Sequence, residues 1–367
     1  MHFHVPAAIA DQSWRAIAIV AALAAIGAVA LYSVAGGSVS PWAGTHLMRF
    51  AVFLTMALVM SYIPPDSYKP LLGFAYVGSM LLLVVVLAIG TIGGGARSWI
   101  NLGFMQFQPS ELVKLVLLAV LARFFEMLPP RSTMTFAGIW PPIALTALPF
   151  ALIVIQPDLG TAMLVVLSVV FVTFMAGLPL RLYLGAGLAA MVFIPLAYYN
   201  LLLPHQQRRV TIFLNPEADP LGAGYHISQS FIAIGSGGFF GKGFLNGSQS
   251  QLHYLPETHT DFIYPAIVEE WGLVGAVTVI ALFWLLLRWG WQVARRATTR
   301  YEQLLAAGLT CSLFLYISIN LLMVTGFAPV VGIPLPLVSY GGSAMLTVML
   351  SLGLLMSIDR KNRRMNR

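Results

Sequence analysis

The chain has 367 residues, of which 59% are hydrophobic and only 9% are charged. Soluble domains carry charge on about a quarter of their residues, so this composition excludes a protein that has water as its main solvent. The formal net charge of +7 would suggest nucleic acid on a soluble surface, but the placement of the basic residues along the chain indicates membrane topology and no nucleic-acid partner.

Apolar segments long enough to cross a bilayer follow one another along the chain. About 20 mostly apolar residues span the hydrocarbon core, and the first such segment is longer than the core of a signal peptide. The sequence therefore predicts an all-α polytopic membrane protein, a single domain over 1–367, with about ten transmembrane helices and a large outer loop at 204–261. The predicted helices lie at 16–34, 47–63, 70–91, 110–127, 138–155, 160–177, 181–203, 262–289, 303–325 and 342–359.

Basic residues set the predicted orientation. Arginines cluster between the eighth and ninth helices, and basic residues crowd the segment after the tenth, so the positive-inside rule places both in the cytoplasm. An even number of helices then puts the N-terminus in the cytoplasm as well. Lys69, Arg131 and Arg181 also fall in cytoplasmic connections, whereas the loops 92–109 and 204–261 lie on the outer side.

Ionisable side chains near membrane depth are costly, so each one is expected to be functional or paired. Glu111 and Lys114 lie three residues apart at the start of the fourth helix and share a face. Asp158 precedes the sixth helix, where it could cap the helix N-terminus or neutralise Lys114. A structural and a catalytic role are both open for Asp158 and Lys114.

The long outer loop carries cations and acids typical of a binding site. Arg208 and Arg209, near the end of the seventh helix, could bind phosphate, or alternatively the headgroups of anionic lipids. Glu257, His259 and Asp261 could hold a metal, although their spacing matches no metal motif and a loop histidine more often serves as a hydrogen-bonding group.

Asp261 stands out because it lies at the transition from water to membrane, directly before an apolar helix. Partial burial there would raise its pKa and make it a usable general base. Glu269 and Glu270 follow inside the helix, where at least one must find a partner and a buried hydrogen-bond network is expected. The Pro/Gly-rich segment between the ninth and tenth helices predicts a fixed wall without regular helix until about Ser343.

Five sequence blocks stand out along the chain: GARSWI at 95–100, FQPSELVK at 107–114, QPDLGTA at 156–162, FLNPEADPLGAGYHISQS through LPETHTDFI at 213–263, and GIPLPLVSYGGS at 332–343. In this order the blocks resemble the SEDS family of bacterial cell-wall polymerases, the group that includes RodA and FtsW. The resemblance spans nearly the whole chain, and DPLGAGYH and GKGFLNGSQSQL are closer to the elongation-specific RodA branch than to the division-specific FtsW branch.

The resemblance implies a peptidoglycan glycosyltransferase of the bacterial inner membrane, with both termini cytoplasmic and a periplasmic active site. It would polymerise lipid II by inverting transfer, with Asp261 as general base or as the ligand of a divalent cation such as Mg²⁺ or Mn²⁺. Arg208, Arg209 and Lys114 would stabilise the leaving pyrophosphate. The remaining substrate-binding candidates are Glu111, Asp158, Glu257 and His259. The implied partners are a class B penicillin-binding protein and the elongation proteins MreC, MreD and MreB.

Two other functions are open. A lipid II flippase needs polar groups at both faces of the membrane, whereas six acids predicted near the membrane or in its loops all fall on the outer side. A non-catalytic scaffold that activates a penicillin-binding protein would need no base at all. The six outer acids are Glu111, Asp158, Glu217, Asp219, Glu257 and Asp261.

Overall fold

The computed structural model describes residues 11–93, 96–103, 105–200, 202, 204–215, 223–252, 254–255 and 257–365. Short 3-10 helices at Pro65–Leu71 and Pro130–Met134 precede α3 and α5. The α-helices are α1 (Trp14–Val34), α2 (Ala43–Ser61), α3 (Leu72–Ile89), α4 (Pro109–Met127), α5 (Phe136–Ile155), α6 (Leu159–Met175), α7 (Leu180–Asn200), α8 (Pro204–Leu214), α9 (Ala223–Ser236), α10 (Ser248–Gln251), α11 (Ile263–Arg296), α12 (Arg300–Val324) and α13 (Gly342–Met365).

Each of the ten predicted membrane helices coincides with an observed one, which confirms an all-helical polytopic membrane protein. Eight helices are long and apolar enough to cross a membrane, and α6 is a shorter apolar helix. The tenth, α4, has 19 residues but carries four charged side chains, and two of these, Glu111 and Lys114, are buried.

The predicted outer loop 92–109 contains a structure that the sequence did not predict. Strands β1 (Thr91–Gly93), β2 (Ala96–Asn101) and β3 (Gln106–Phe107) form a three-stranded antiparallel sheet in the order β1-β2-β3. Thr91 pairs with Trp99, and Ile100 pairs with Phe107. β1 and β3 hold too few residues to show the two-residue alternation by which a strand is predicted, and the six residues of β2, ARSWIN, do not alternate between apolar and polar.

The centre of the bundle is α12, which packs against α4, α6 and α11, while α13 packs along α2. Small residues allow these close approaches, as is common between membrane helices. A Cβ atom on Gly308 of α12 would come 2.6 Å from Cγ2 of Val172 in α6. Helix α7 is an exception among these helices, because none of its residues is buried.

Ion pairs tie the helices together at the end of the bundle that we call the tail end, around Asp66, Glu302 and Lys361. Lys361 Nζ bridges Glu302 Oε1 at 2.6 Å and Asp66 Oδ2 at 2.7 Å. Lys69 Nζ joins Asp66 Oδ1 at 2.7 Å to Glu126 Oε1 at 2.8 Å. Because the Glu302 side chain is completely buried, its charge depends on these partners.

Asp359 makes a second tie at the tail end. Its Oδ2 atom accepts hydrogen bonds from Ser13 Oγ at 2.6 Å, Trp289 Nε1 at 3.3 Å and Arg363 at 2.8 Å. One carboxylate of α13 thereby contacts α11 and the residue directly before α1. The first and last described helices are joined directly.

Replacing Lys361 by methionine is expected to destabilise the protein, because Glu302 would keep a buried charge without its cation. We expect a loss of about 2 kcal/mol, below the 3–5 kcal/mol of a fully buried pair because Lys361 is partly exposed. Thermal unfolding in detergent should show a lower Tm for Lys361→Met and recovery in Lys361→Met/Glu302→Gln. A double variant as unstable as the single one would contradict this coupling.

Candidate active site

Asp261 lies in the turn before α11 and is fixed there through its backbone. Its carbonyl oxygen accepts a hydrogen bond from Asn320 Nδ2 at 2.9 Å, and the carbonyl oxygen of His259 accepts one from Tyr340 N at 2.8 Å. Its side chain is partly exposed and faces the α12–α13 connection, since a Cβ on Gly332 would lie 3.5 Å from Asp261 Oδ2. The turn thus holds a carboxylate against a fixed wall, as the sequence predicts.

The local sequence explains the shape of this turn. Glu257 adopts a φ of 52°, and its carbonyl oxygen accepts hydrogen bonds from the amides of Thr260 and Phe262. Pro265 lies in the first turn of α11, where amides have no partner within the helix, so its missing N–H costs nothing.

A buried ion pair lies at the start of α4. Lys114 Nζ is 2.8 Å from Glu111 Oε1, and both side chains are almost completely buried. Tyr316 of α12 donates its hydroxyl to Glu111 Oε1 at 3.0 Å, and Lys114 Nζ lies 4.3 Å from the centre of the Tyr316 ring. The predicted shared face of Glu111 and Lys114 is confirmed.

Asp158 is the N-cap of α6, as one of the two predicted alternatives has it. Its Oδ1 atom accepts a hydrogen bond from the Thr161 amide at 3.1 Å, and its Oδ2 atom accepts one from Gln108 Nε2 at 2.7 Å. The other alternative, that Asp158 neutralises Lys114, is wrong, because Glu111 is the carboxylate that pairs with Lys114.

Three carboxylates gather at this end of the bundle, which we call the site end. Glu111, Asp158 and Asp261 all lie close enough to Tyr316 to interact with it electrostatically. The backbone amide of Gln108 donates to Ser343 Oγ at 3.0 Å. Because the side chain of Gln108 binds Asp158, this bond connects Asp158 to the start of α13. Helices α4, α6, α11, α12 and α13 therefore converge on one polar site.

A small cavity extends from Glu111 and Lys114 into the bundle. Its volume is about 20 Å³, enough for about one water molecule and too small for a prenyl chain. Glu111 Oε2 and Thr347 Oγ1, two buried atoms without a hydrogen-bond partner, belong to residues that line it. The other lining residues are Leu115, Leu118, Leu309, Ser312, Leu313, Tyr316, Val348, Ser351, Leu352 and Leu355.

The remaining predicted residues of the outer loop differ in their placement. Arg208 is exposed on α8, a helix separate from α7, and Arg209 belongs to the same helix, although its side chain lies outside the described residues. Glu217 and Asp219 also lie outside them. The Glu257 side chain is 61% exposed and lies 3.9 Å from His259 Nε2.

His259 is held by aromatic contacts and not by a strong ion pair. Its ring stacks on Trp42 with 4.5 Å between centroids and lies 6.2 Å from the Tyr340 ring. Burial lowers the pKa of His259 below its usual range, and the nearby Glu257 opposes this shift. His259 is therefore neutral near pH 7 and suits hydrogen bonding better than the neutralisation of phosphate.

Glu257, His259 and Asp261, considered in the sequence analysis as one alternative for holding a metal, do not form a group of ligands. Among the residues that the structure describes, no three His, Cys, Asp or Glu side chains are grouped so that they could hold a metal ion. A single carboxylate such as Asp261 still fits the way Mg²⁺ is bound beside substrate phosphates, where one or two protein carboxylates suffice.

Glu269 and Glu270 both have partners, as expected of a buried network. Glu269 pairs with Lys242 at 2.6 Å, and Glu270 accepts a hydrogen bond from Ser33 of α1. Neither lines the cavity beside Glu111.

Sequence reasoning missed several residues that build the site. Gln108 and Ser343 stand inside the blocks that carry the family resemblance, so that resemblance could have found them. Asn320 is a completely buried amide in an apolar helix, and polar residues in such positions signal a role. The ring contacts of Trp42 and Tyr340 with His259 have no counterpart in the sequence pattern.

Comparison with known proteins agrees with the predicted resemblance. The peptidoglycan glycosyltransferase MrdB of Escherichia coli K12 is 44% identical over 342 residues, which cover 93% of this chain and 91% of that protein. A solved structure from work on a peptidoglycan synthase complex that coordinates polymerization and crosslinking matches with a TM-score of 0.83 and 33% identity, covering 96% of this chain and 98% of that one.

The rod shape determining protein RodA of Thermus thermophilus matches with a TM-score of 0.71 and 31% identity, over 96% of this chain and 97% of that one. The family model of FtsW, RodA and SpoVE, described as a cell cycle protein, matches residues 13–364. Since the match covers nearly its whole length, the chain belongs to the FtsW/RodA/SpoVE family.

Proposed function

We propose that this protein is a peptidoglycan glycosyltransferase that polymerises lipid II into glycan strands during cell elongation and shape maintenance. The observation that carries the proposal is the partly exposed Asp261 carboxylate, fixed by its backbone at a polar site in a chain that is 44% identical to a protein named for this activity. The RodA match, named for rod shape, supports the role in elongation.

Asp261 acts as the general base. It removes the proton from the 4-hydroxyl of an incoming GlcNAc while that oxygen attacks the anomeric carbon of the donor sugar. The bond from the anomeric carbon to the pyrophosphate oxygen breaks, and its electron pair leaves with undecaprenyl pyrophosphate. One displacement inverts the anomeric centre, and the proton ends on the Asp261 carboxylate.

The other two carboxylates of the site end are poorly suited to this step. Glu111 is buried and bound to Lys114 and Tyr316, so its charge is already compensated. Both carboxylate oxygens of Asp158 already accept hydrogen bonds, one from the Thr161 amide in the α6 cap and the other from Gln108. They shape the site and hold its helices together, whereas Asp261 presents its carboxylate to substrate.

Cations of the outer loop stabilise the leaving group. Arg208 and Arg209 belong to one helix and supply guanidinium groups, which suit phosphate oxygens. For Lys114 we favour the structural one of its two predicted roles, because its ammonium is buried and engaged by Glu111. Glu257 and His259 contact the sugar as hydrogen-bonding groups.

A divalent cation that arrives with the substrate pyrophosphate would fit beside Asp261. Bound there, such a cation would neutralise charge on the pyrophosphate. The Asp261 carboxylate would be its protein ligand, and the substrate oxygens and water would complete its coordination.

The surroundings follow from the substrate chemistry. Both substrates carry prenyl tails that remain in lipid, so we place the protein in the bacterial inner membrane with Asp261 periplasmic and both termini cytoplasmic. Lipid-exposed helix surfaces accommodate the tails, since the cavity beside Glu111 is too small. A class B penicillin-binding protein is the proposed partner, and the matching structure from a synthase complex that coordinates polymerization and crosslinking supports it. MreC, MreD and MreB are further proposed partners, implied by the family resemblance alone.

A lipid II flippase and a scaffold are the alternatives. The sequence suggests that acids lie only on the outer side, which would argue against a flippase, but the structure shows acids at both ends of the bundle. The tail end also holds acids, namely Asp11, Asp66, Glu126, Glu302 and Asp359. Each of these is engaged by a cation, so they form structural ties and not an open polar path. This engagement favours the enzyme over the flippase, whereas the scaffold is tested by the activity assay below.

Replacing Asp261 by asparagine is expected to reduce polymerisation by about 10²–10⁴-fold, the contribution of a general base. Asparagine keeps the shape of the side chain, so thermal stability should be unchanged. Purified protein with its partner, labelled lipid II and gel analysis of the polymer provide the measurement.

The matched control is Asp158→Asn, which retains the helix cap because asparagine caps as well as aspartate. It should keep most of the activity. Polymer from both wild type and Asp261→Asn would exclude the base role, and polymer from neither would favour the scaffold. Movement of lipid II across liposomes by the protein alone would favour the flippase.

Lys114→Met is expected to destabilise the protein by about 3–5 kcal/mol, because it leaves Glu111 charged and buried. Adding Glu111→Gln should restore most of the Tm, whereas adding Asp158→Asn should not. Thermal unfolding of the three variants in detergent tests this choice of partner. Recovery with Asp158→Asn and not with Glu111→Gln would show that the ion pair is assigned to the wrong carboxylate.

A further inference from the structure

Helix α11 is broken at Gly272, which has φ 64° and ψ −157°. The break separates a short outer portion, residues 263–271, from the main membrane portion. We call the short portion the arm. It begins two residues after Asp261, and all its residues from Ile263 to Glu270 are buried. The arm therefore connects the proposed base to the break.

A glycine-rich segment, residues 237–243, docks against the break and completes the helix. A broken helix exposes amides and carbonyls that have no partner, and such groups cost several kcal/mol each in a membrane. Here two amides beyond the break donate to the segment, and two carbonyls of the arm accept from it. The bonds are Leu273 N to Gly238 O at 3.0 Å, Val274 N to Phe239 O at 3.3 Å, Lys242 N to Glu269 O at 2.9 Å and Gly243 N to Glu270 O at 3.0 Å.

The approach of the two backbones leaves no room for side chains. A Cβ on Gly241 would lie 2.1 Å from the carbonyl oxygen of Glu270, and one on Gly272 would lie 2.4 Å from the amide nitrogen of Gly241. Both glycines also have positive φ angles. The contact is therefore specific to glycine at these two positions.

Side chains lock the segment onto the arm. Glu269 is completely buried, and its Oε1 atom accepts hydrogen bonds from Lys242 Nζ at 2.6 Å, Ser248 Oγ at 3.1 Å and Gln249 N at 3.0 Å. Lys242 Nζ also donates to Ser248 Oγ at 2.7 Å. One carboxylate of the arm thus gathers partners from both the glycine-rich segment and α10.

The opposite end of the arm is bonded to α12 and to the α12–α13 connection, so a tilt of the arm would disturb these bonds as well. The Asn320 side chain donates hydrogen bonds to the carbonyl oxygens of Asp261 and Ile333, at 2.9 and 2.7 Å. The backbone amide of Tyr340 donates one to the carbonyl oxygen of His259. At about 1.5 Å per residue the arm is about 14 Å long, so a tilt of about 5° at the break would move its far end by about 1 Å. A displacement of 1 Å can cost about 10²-fold in rate.

We propose that Lys242 and Glu269 are positioning residues for glycosyl transfer, fixing the arm that presents Asp261 to the acceptor hydroxyl. The inference rests on the proposed function. Neither side chain is expected to touch the reacting atoms. Their loss should lower the turnover number and leave lipid II binding largely unchanged, because the arm moves while the remaining substrate contacts stay in place.

The test compares two lysines that each form ion pairs, one at each end of the bundle. Lys242→Met removes the cation of Glu269, and the control Lys69→Met removes the cation shared by Asp66 and Glu126. Each purified full-length variant, with the partner protein, is assayed for kcat and KM on labelled lipid II and for Tm. We expect kcat to fall about 10–100-fold in Lys242→Met with KM within threefold, and kcat of Lys69→Met to stay within twofold of wild type.

Milder variants keep the proposal falsifiable if Lys242→Met does not fold. Lys242→Arg should restore most of the turnover, and Ser248→Ala should lower kcat by about threefold. Unchanged kcat in Lys242→Met or in Ser248→Ala, or a loss in Lys69→Met as large as in Lys242→Met, would overturn the positioning role.

Amide hydrogen exchange separates this inference from the proposed function. Positioning predicts faster exchange in residues 257–262 of Lys242→Met and Ser248→Ala but not of Lys69→Met. If wild type makes no polymer, the proposed function fails, and the exchange data still decide whether the pair holds the Asp261 turn. Equal exchange in all variants would refute the positioning role even in an active enzyme.

Discussion

A bilayer offers no water to bind charges or backbone groups, so those that the bundle buries need partners inside the protein. This constraint shapes the rest of the structure. Glu302 is neutralised by Lys361, Glu111 by Lys114, and the broken backbone of α11 by a glycine-rich segment. Partial exposure at a fixed turn distinguishes Asp261 from these buried acids. In the proposed mechanism this carboxylate takes the proton of the substrate hydroxyl, whereas Glu111 and Glu302 hold helices together.

The helices could be predicted because bilayer thickness fixes the length of an apolar segment, and the shared face of Glu111 and Lys114 follows from helical spacing alone. The cap at Asp158 follows equally from local sequence. Partners that lie far apart in the chain could not be predicted, because spacing along one helix does not say which neighbour it meets. The choice of Glu111 over Asp158 as partner of Lys114, and the bond from Asn320 to Asp261, are of this kind.

Two kinds of contact stabilise the site, and they have different roles. Buried ion pairs and caps hold α4, α6 and α12 in place below the site, where flexibility would open the bundle to lipid. Around Asp261 the support comes mainly from hydrogen bonds to backbone, including those of Asn320 and Tyr340. Such bonds fix the path of the chain that carries the Asp261 carboxylate.

The tail-end ties also bear on how the protein is inserted. Glu302 is synthesised at the start of α12, yet Lys361 follows 59 residues later, and the bond between Ser13 and Asp359 spans 346 residues. The carboxylate that ends completely buried therefore has to be accommodated without Lys361 until α13 has been made. Closure of the tail end is consequently a late event in the assembly of the bundle.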